Sequence, residues 1–237
     1  AVLDWIKSRP DNNAIAEETE RILMEGMHVN PINMVNVHLK LESLLKEEPA
    51  TNLKQVKPRA LVWQCKGYCA MFSHAFKQIK NRLKMVLNEK VVYADGLQAD
   101  EVSNRLRLVV GDLWVLENDL AQQDRQTDHE ILNFEMELYL KLGMLPLMVR
   151  IWRNVHNNWR YKSKTVSGMR DGMRLTGQAT TALGNVITNL LVHRQLVQKL
   201  GNAVKLFLVL GDDGIMLTSV KPDTDRLRQY CKHYHNM

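Results

Sequence analysis

Apolar positions along the chain follow two periods, a helical one near 3.6 and a strand one of 2, and the alternation between them predicts the elements. Residues 1 to 30 read as helix with an early break at Pro10. Ala14 to Met27 is amphipathic, with Ile15, Ile22, Leu23 and Met27 as its apolar positions. Beyond Pro31, Val35, Val37, Leu39 and Leu41 alternate with Asn36, His38 and Lys40, which predicts a strand. Ala60 to Trp63 suits a second strand, entered through Pro58, which biases Lys57 towards extended backbone. From Gly67 to Leu87 the period is helical, with Met71, Phe72, Ala75, Phe76, Ile79, Leu83, Val86 and Leu87 as the buried stripe.

The second half continues the alternation. Val91 to Ala94 is a short strand candidate and Asp100 to Arg107 a short helix. Leu108 to Leu116, broken by Gly111 and Asp112, reads as a buried strand reaching towards Asn118. Thr127 and Glu130 suit a capping box for a helix carrying Ile131, Phe134, Leu138 and Leu142, which ends near Gly143. Pro146 opens another, with Leu147, Met148, Ile151, Trp152 and Val155 inward. A long helix is expected from near Thr180 to Lys199, stopped by Gly201. Finally, Phe207 to Leu210 and Ile215 to Leu217 flank a turn bounded by Gly211 and Gly214, the pattern of a β-hairpin.

Composition narrows the class without choosing a function. The chain has 237 residues and 45% hydrophobic content, which supports a packed core rather than disorder. A net charge of +6 favours an acidic partner such as nucleic acid, though weakly. Three cysteines suggest no disulfide framework and fit a reducing compartment. No apolar run is long enough for a membrane span, and no signal peptide is expected. The chain starts without Met and reads as the core of something longer.

Several residue groups carry candidate chemistry. Asp212 and Asp213 are adjacent carboxylates at a hairpin tip, where they repel and add nothing to a core. Either they form a solvated turn or they serve a hard cation with oxygen ligands, most simply Mg²⁺. Asp119 closes a predicted strand and Asp124 follows it; loop polarity or ligand binding would explain both. Lys57 and Arg59 share one face of an extended segment and Lys66 follows, a set able to grip a triphosphate or simply to protect an edge strand. Between Arg150 and Arg174 the basic residues Arg160, Lys162, Lys164 and Arg174 occur with Trp159 and Tyr161, a mixture that can hold a nucleic-acid strand. Thr176 and Gly177 suit a bend that frees backbone N–H groups, while Thr181, Asn185 and Asn189 make a polar row on a buried helix. Cys65, Cys69 and His74, like Cys231, His233 and His235, lack a fourth ligand for structural zinc.

In their order these pieces resemble RNA-dependent RNA polymerases of positive-strand RNA viruses. Asp119 with Asp124 resembles motif A of that family; Thr176, Gly177, Thr181 and Asn185 resemble motif B; Gly211, Asp212 and Asp213 resemble motif C; Lys57, Pro58 and Arg59 resemble motif F. The resemblance covers roughly residues 35 to 220 and departs at Thr176, where serine is commonest. It implies an α/β (α+β) fold, the right-hand polymerase palm with an antiparallel sheet and packed helices plus partial fingers, the thumb absent. Residues 1–107 would be partial fingers and 108–237 palm, with 144–175 contributing to the fingers. It further implies two Mg²⁺ ions (Mn²⁺ substituting) held by Asp119, Asp212 and Asp213, and a ribonucleotide sugar read by Asp124 and Asn185 with support from Thr181. Lys57, Arg59 and Lys66 would take the triphosphate; Thr176, Gly177, Arg160, Lys162, Lys164 and Arg174 would take template RNA. The partners implied are RNA template, nascent RNA, ribonucleoside triphosphates and other viral replication proteins. The location implied is the host cytoplasm, in a replication complex tied to membranes through other parts. Two further readings are a reverse transcriptase or other palm polymerase, which usually places a bulky aromatic at the sugar, and a non-catalytic basic RNA-binding module.

Overall fold

The computed structural model describes residues 2–26, 31–40, 59–120, 123–162, 167–223 and 225. In chain order the elements are α1 (Val2–Lys7), α2 (Asn12–Glu25), β1 (Met34–Lys40), β2 (Arg59–Gln64), α3 (Lys66–Val86), β3 (Val91–Tyr93), α4 (Ala99–Arg107) and β4 (Trp114–Asp119). There follow α5 (Gln123–Gln126), α6 (His129–Lys141), α7 (Pro146–Val155), β5 (Trp159–Lys162), β6 (Ser167–Arg170), α8 (Thr181–Leu200), β7 (Val204–Leu210) and β8 (Asp213–Thr218). The fold is mixed α/β, with two four-stranded sheets in the orders β2-β1-β5-β6 and β3-β7-β8-β4.

Both sheets are mixed rather than purely antiparallel. In the first, β1 runs antiparallel to β2 and parallel to β5. In the second, β3 runs parallel to β7, while β8 lies antiparallel between β7 and β4. Each sheet takes strands from both sides of residue 107, since β3 joins the hairpin β7–β8 and β5–β6 joins β1.

Aromatic packing holds the helices together. Phe72 and Phe76 of α3 lie 4.9 and 4.8 Å from Trp152 of α7, and Phe76 lies 5.5 Å from Tyr139 of α6, distances at which aromatic pairs attract. The long α8 is buried on most of its sides: Leu183, Val186, Ile187, Val192 and Leu196 are core residues, and Gly184, Asn185, Thr188, Asn189 and His193 are buried beside them. Such a helix needs partners for its polar groups.

Several expectations are corrected. The strand expected from Leu108 begins only at Trp114; Leu108 and Val110 are 80% and 88% exposed, and Gly111 takes φ 123°, which breaks extended backbone. The α6 cap is Asp128, whose carboxylate accepts from the Ile131 amide, one residue later than the box expected at Thr127. Leu23, Phe134 and Leu147 face outward although their spacing placed them inward. Strands β5 and β6 were not foreseen in the basic stretch. Trp159 is fully buried and donates to the Met173 carbonyl at 2.9 Å, so it packs in the core and offers no face to a base.

Candidate active site

The hairpin tip is a two-residue turn. Leu210 pairs with Asp213, leaving Gly211 and Asp212 as the central residues. Gly211 takes φ 64°, the left-handed value that a II′ turn requires at its first central position. On the other side of β8, the backbone of Asp119 at the end of β4 pairs directly with Asp213. Directly paired residues on antiparallel strands have Cα atoms about 4.5–5.5 Å apart. The sheet therefore brings the end of β4 against the tip, and the direct neighbour of Asp119 is Asp213, with Asp212 one residue further. Asp213 is exposed and Asp212 half-buried.

The donor chemistry at this end fits a hard dication, since carboxylate oxygens are its preferred ligands. Among the described residues no three His, Cys, Asp or Glu side chains gather at metal distance; the Asp119 side chain is not among those described.

Helix α8 delivers three polar side chains, one per turn. At its start, the Thr181 hydroxyl donates to the Leu175 carbonyl at 2.7 Å and accepts from the Gln178 amide at 3.1 Å. It closes the loop before the helix, so its hydroxyl is engaged there rather than held out towards a sugar. One turn on, the Asn185 carboxamide nitrogen donates to Asp124 Oδ1 at 3.1 Å. The family resemblance implied that these two residues share one site, and in the structure they are in contact. Asn185 is 6% exposed, and its buried Oδ1 has no hydrogen-bond partner among the described residues. Its backbone carbonyl accepts from Gln123 Nε2 at 2.9 Å, which ties α5 to α8. A further turn on, Asn189 Nδ2 lies 3.4, 2.9 and 3.2 Å from the carbonyls of Gly211, Asp212 and Asp213.

The loop carrying Thr176 and Gly177 is stitched to β2. The Gly177 amide donates to the Val62 carbonyl, and the Gln64 amide donates to the Gly177 carbonyl, both at 3.0 Å. A Cβ at Gly177 would lie 2.6 Å from Trp63 Cβ, so only glycine permits this approach. The strand that carries Arg59 is thus fixed to the loop that precedes α8. Lys57 lies outside the described residues, as does Lys164, and the Arg59 side chain is not described. Lys66 pairs with Asp11, the residue that precedes α2, an engagement that turns it towards the N-terminal helices.

Behind the loop lies a neutral histidine. His156 Nδ1 donates to the Trp152 carbonyl at 2.8 Å, and its Nε2 accepts from Gln178 Nε2 at 3.1 Å, which fixes the tautomer. Gln178 also donates to Thr180 Oγ1 at 2.7 Å and accepts from the Leu175 amide at 3.2 Å. Burial pushes the His156 pKa down to about 4. Sequence reasoning missed this network, because neither residue belongs to a periodic pattern.

Of the basic residues expected to hold RNA, Arg160 and Lys162 are exposed on β5. Arg174 is a correction. It is 1% exposed, and its guanidinium forms a two-point ion pair with Glu135, Nη2 to Oε1 and Nη1 to Oε2 at 3.3 Å. Tyr139 donates a third hydrogen bond to Glu135 at 3.1 Å. Burial alone would lower the Arg174 pKa, but the Glu135 carboxylate overrides it and holds it above the ordinary value. A cation so placed cannot reach a phosphate. Burial pushes the Cys65 and Cys69 thiols up, to about 11 and about 12, so both are neutral thiols near neutral pH.

Comparison with known proteins adds independent findings. A family model described as RNA dependent RNA polymerase matches residues 2–237. The replicase polyprotein 1ab of Beet yellows virus is 25% identical over 92% of this chain and 7% of its own length. The RNA-directed RNA polymerase 2a of Tobacco streak virus is 26% identical over 80% of this chain and 24% of its own. The non-structural polyprotein pORF1 of Hepatitis E virus genotype 1 is 25% identical over 65% of this chain and 9% of its own. The chain spans no more than about a quarter of the length of these relatives.

Proposed function

The chain belongs to the RNA-dependent RNA polymerase family, and from that premise we propose that it is the nucleotidyl-transfer core of a viral replicase. Its reaction is attack of an RNA 3′-hydroxyl on the α-phosphate of a ribonucleoside triphosphate, templated by RNA, with pyrophosphate leaving. The observation that carries this reading is the strand register that sets Asp119 against Asp213 beside a Gly211–Asp212 turn. Three carboxylate-bearing residues from distant parts of the chain thereby come to one end of the sheet.

In this reading the sheet of β3, β7, β8 and β4 is the palm, and the sheet of β2, β1, β5 and β6 belongs to the fingers. Asp119, Asp212 and Asp213 hold two Mg²⁺ ions, with Mn²⁺ able to replace them. Ions so held supply the charge that activates the 3′-hydroxyl and neutralises the leaving pyrophosphate. Asp124 and Asn185 receive the ribose. The unpartnered Oδ1 of Asn185 accepts the 2′-hydroxyl proton, a contact that a deoxynucleotide cannot make. This pair favours a ribonucleotide polymerase over a reverse transcriptase. We assign Lys57 and Arg59 to the neutralisation of the triphosphate, and Thr176 and Gly177 with Arg160, Lys162 and Lys164 to the binding of the template. Among the described residues no helix is long and apolar enough to cross a membrane. We place the protein in the host cytoplasm, in a replication complex with other viral proteins; two of the relatives carry names of polyproteins.

The test is primer extension on an RNA template by the complete polymerase and its Asp212→Ala variant. Asp212→Ala should abolish nucleotide addition, because a lost ligand removes several kcal/mol of transition-state stabilisation. RNA affinity should stay nearly intact, since it rests on lysines and arginines. Near-normal extension by the variant would overturn the assignment, and a basic RNA-binding module would then fit better.

A further inference from the structure

We propose that Asn189 is a positioning residue that clamps the Gly211–Asp213 turn and so sets the direction in which the two carboxylates project. The proposal rests on the catalytic reading of the tip given above. Asn189 is fully buried on α8, one turn beyond Asn185. Its single carboxamide nitrogen faces three successive tip carbonyls, at 3.4, 2.9 and 3.2 Å. Two N–H groups serve three acceptors, so at least one bond is shared. The reversed carboxamide would aim an oxygen at three carbonyl oxygens, which fixes its orientation.

The tip needs such a clamp. A two-residue turn can flip its central peptide, and here the flip would carry Asp212 to positive φ, a conformation that aspartate tolerates better than most residues. A flip there changes the backbone angles on both sides and swings the Cα–Cβ direction of Asp212. Holding the carbonyls of Gly211, Asp212 and Asp213 together fixes those angles. The helix is itself braced against the same hairpin. His193 Nδ1 donates to the Asn189 backbone carbonyl at 2.8 Å, and the His193 ring packs 5.2 Å from Phe207 of β7. One rigid helix thus sets both the residue that faces Asp124 and the residue that holds the tip, and rigid support of this kind is what a reacting geometry requires.

The experiment compares the complete polymerase with Asn189→Ala, Asn189→Asp and a control, Thr188→Val. Thr188 is equally buried, but its hydroxyl bonds within α8, to the Gly184 carbonyl at 3.0 Å. In the Asn189 variants, amide hydrogen exchange at Gly211 to Gly214 should accelerate at least tenfold while the strand interiors stay protected. Half-saturating Mg²⁺ for extension should rise at least fivefold and kcat fall at least tenfold, with RNA affinity within twofold of wild type. Thr188→Val should lower the melting temperature and move none of these. Unchanged tip exchange and Mg²⁺ dependence in folded Asn189 variants would overturn the proposal. So would the same changes in Thr188→Val, which would reduce Asn189 to general stability. If Asn189→Ala does not fold, Asn189→Ser, which keeps one donor, is read the same way, and failure of both to fold also counts against the proposal. Asp212→Ala run alongside separates the two claims: normal extension by it removes the catalytic reading, while tip exchange still decides the clamp.

Discussion

Replacing Arg174 by methionine should destabilise the protein severely while leaving its affinity for RNA intact. The side chain is 0% exposed and its partner Glu135 is 1% exposed, so neither charge has water to fall back on. Removing the guanidinium takes away both points of the ion pair and leaves Glu135 with only the Tyr139 hydroxyl. Breaking one side of a buried pair costs about 3–5 kcal/mol, because an uncompensated charge stays behind. For a cooperative unit of this size 1 kcal/mol corresponds to about 2–4 °C, so the melting temperature should drop by roughly 6–20 °C. The double variant Arg174→Met with Glu135→Leu should recover much of the loss, since apolar replacement of a whole buried pair is often close to neutral. Scanning calorimetry of the complete polymerase measures both. Salt-dependent RNA binding supplies the second arm: a buried cation releases no counterion, so Arg174→Met should leave the slope of log K against log salt unchanged. Arg160→Ala should flatten that slope by about 0.7, the value for one single-strand phosphate contact. A loss below about 1 kcal/mol, well short of the range for a buried pair, or a flattened slope for Arg174→Met, would refute the reasoning.

Other expectations follow from the same geometry. Asn185→Ala should reduce the preference for ATP over dATP, read as the ratio of kcat/KM, roughly tenfold, the equivalent of about 1–2 kcal/mol for one hydrogen bond; an unchanged ratio would mean that Asn185 only supports the fold. Gly177→Ala forces a Cβ to within 2.6 Å of Trp63 Cβ, so β2 and the loop must separate, at a cost of about 1–3 kcal/mol, seen in denaturant unfolding. His156 has a folded pKa near 4, below its ordinary 6.5, so the unfolded chain takes up the proton first. Its contribution is therefore fully present above pH about 6.5 and is lost as pH falls towards 4, at up to about 1.4 kcal/mol per pH unit. His156→Gln should flatten that dependence in unfolding measured across pH 4–7, and an unaltered slope would show that another group carries it.

Local geometry was legible in the sequence where pattern and chemistry coincide. The hairpin announced itself through two apolar runs about Gly211 and Gly214, whereas the Asp124–Asn185 contact, seen at 3.1 Å, was implied by the family resemblance and not by spacing. What was not legible depended on partners far away in sequence. Arg174 sits among exposed cations and reads like them, because nothing nearby reveals that Glu135, 39 residues earlier, reaches it. Gly184 belongs to the same arrangement: a Cβ there would run into the Arg174 guanidinium, yet in sequence it is only a weak point in a helix. Trp159 was open to both readings, since an aromatic among cations suits a nucleic-acid face as well as a core. Leu108 and Val110 erred the other way, as apolar residues left on the surface before a strand that starts late.

Helix α8 explains why so much converges on one element. An amphipathic helix sends its polar residues to solvent, whereas here the polar row Thr181, Asn185 and Asn189 points inward at helical spacing and meets three different parts of the chain, two through backbone and one through the Asp124 side chain. Thr181 closes the loop that β2 holds, Asn185 meets Asp124 beyond β4, and Asn189 meets the tip of β7–β8. Each contact satisfies a group that burial would otherwise leave costly, so the row is stable only when all three partners are present. Folding of this helix and assembly of the site are then one event. A chain that lost the hairpin would leave Asn189 buried without its carbonyls, and one that lost the β2 bridge would leave the loop before Thr181 without its strand.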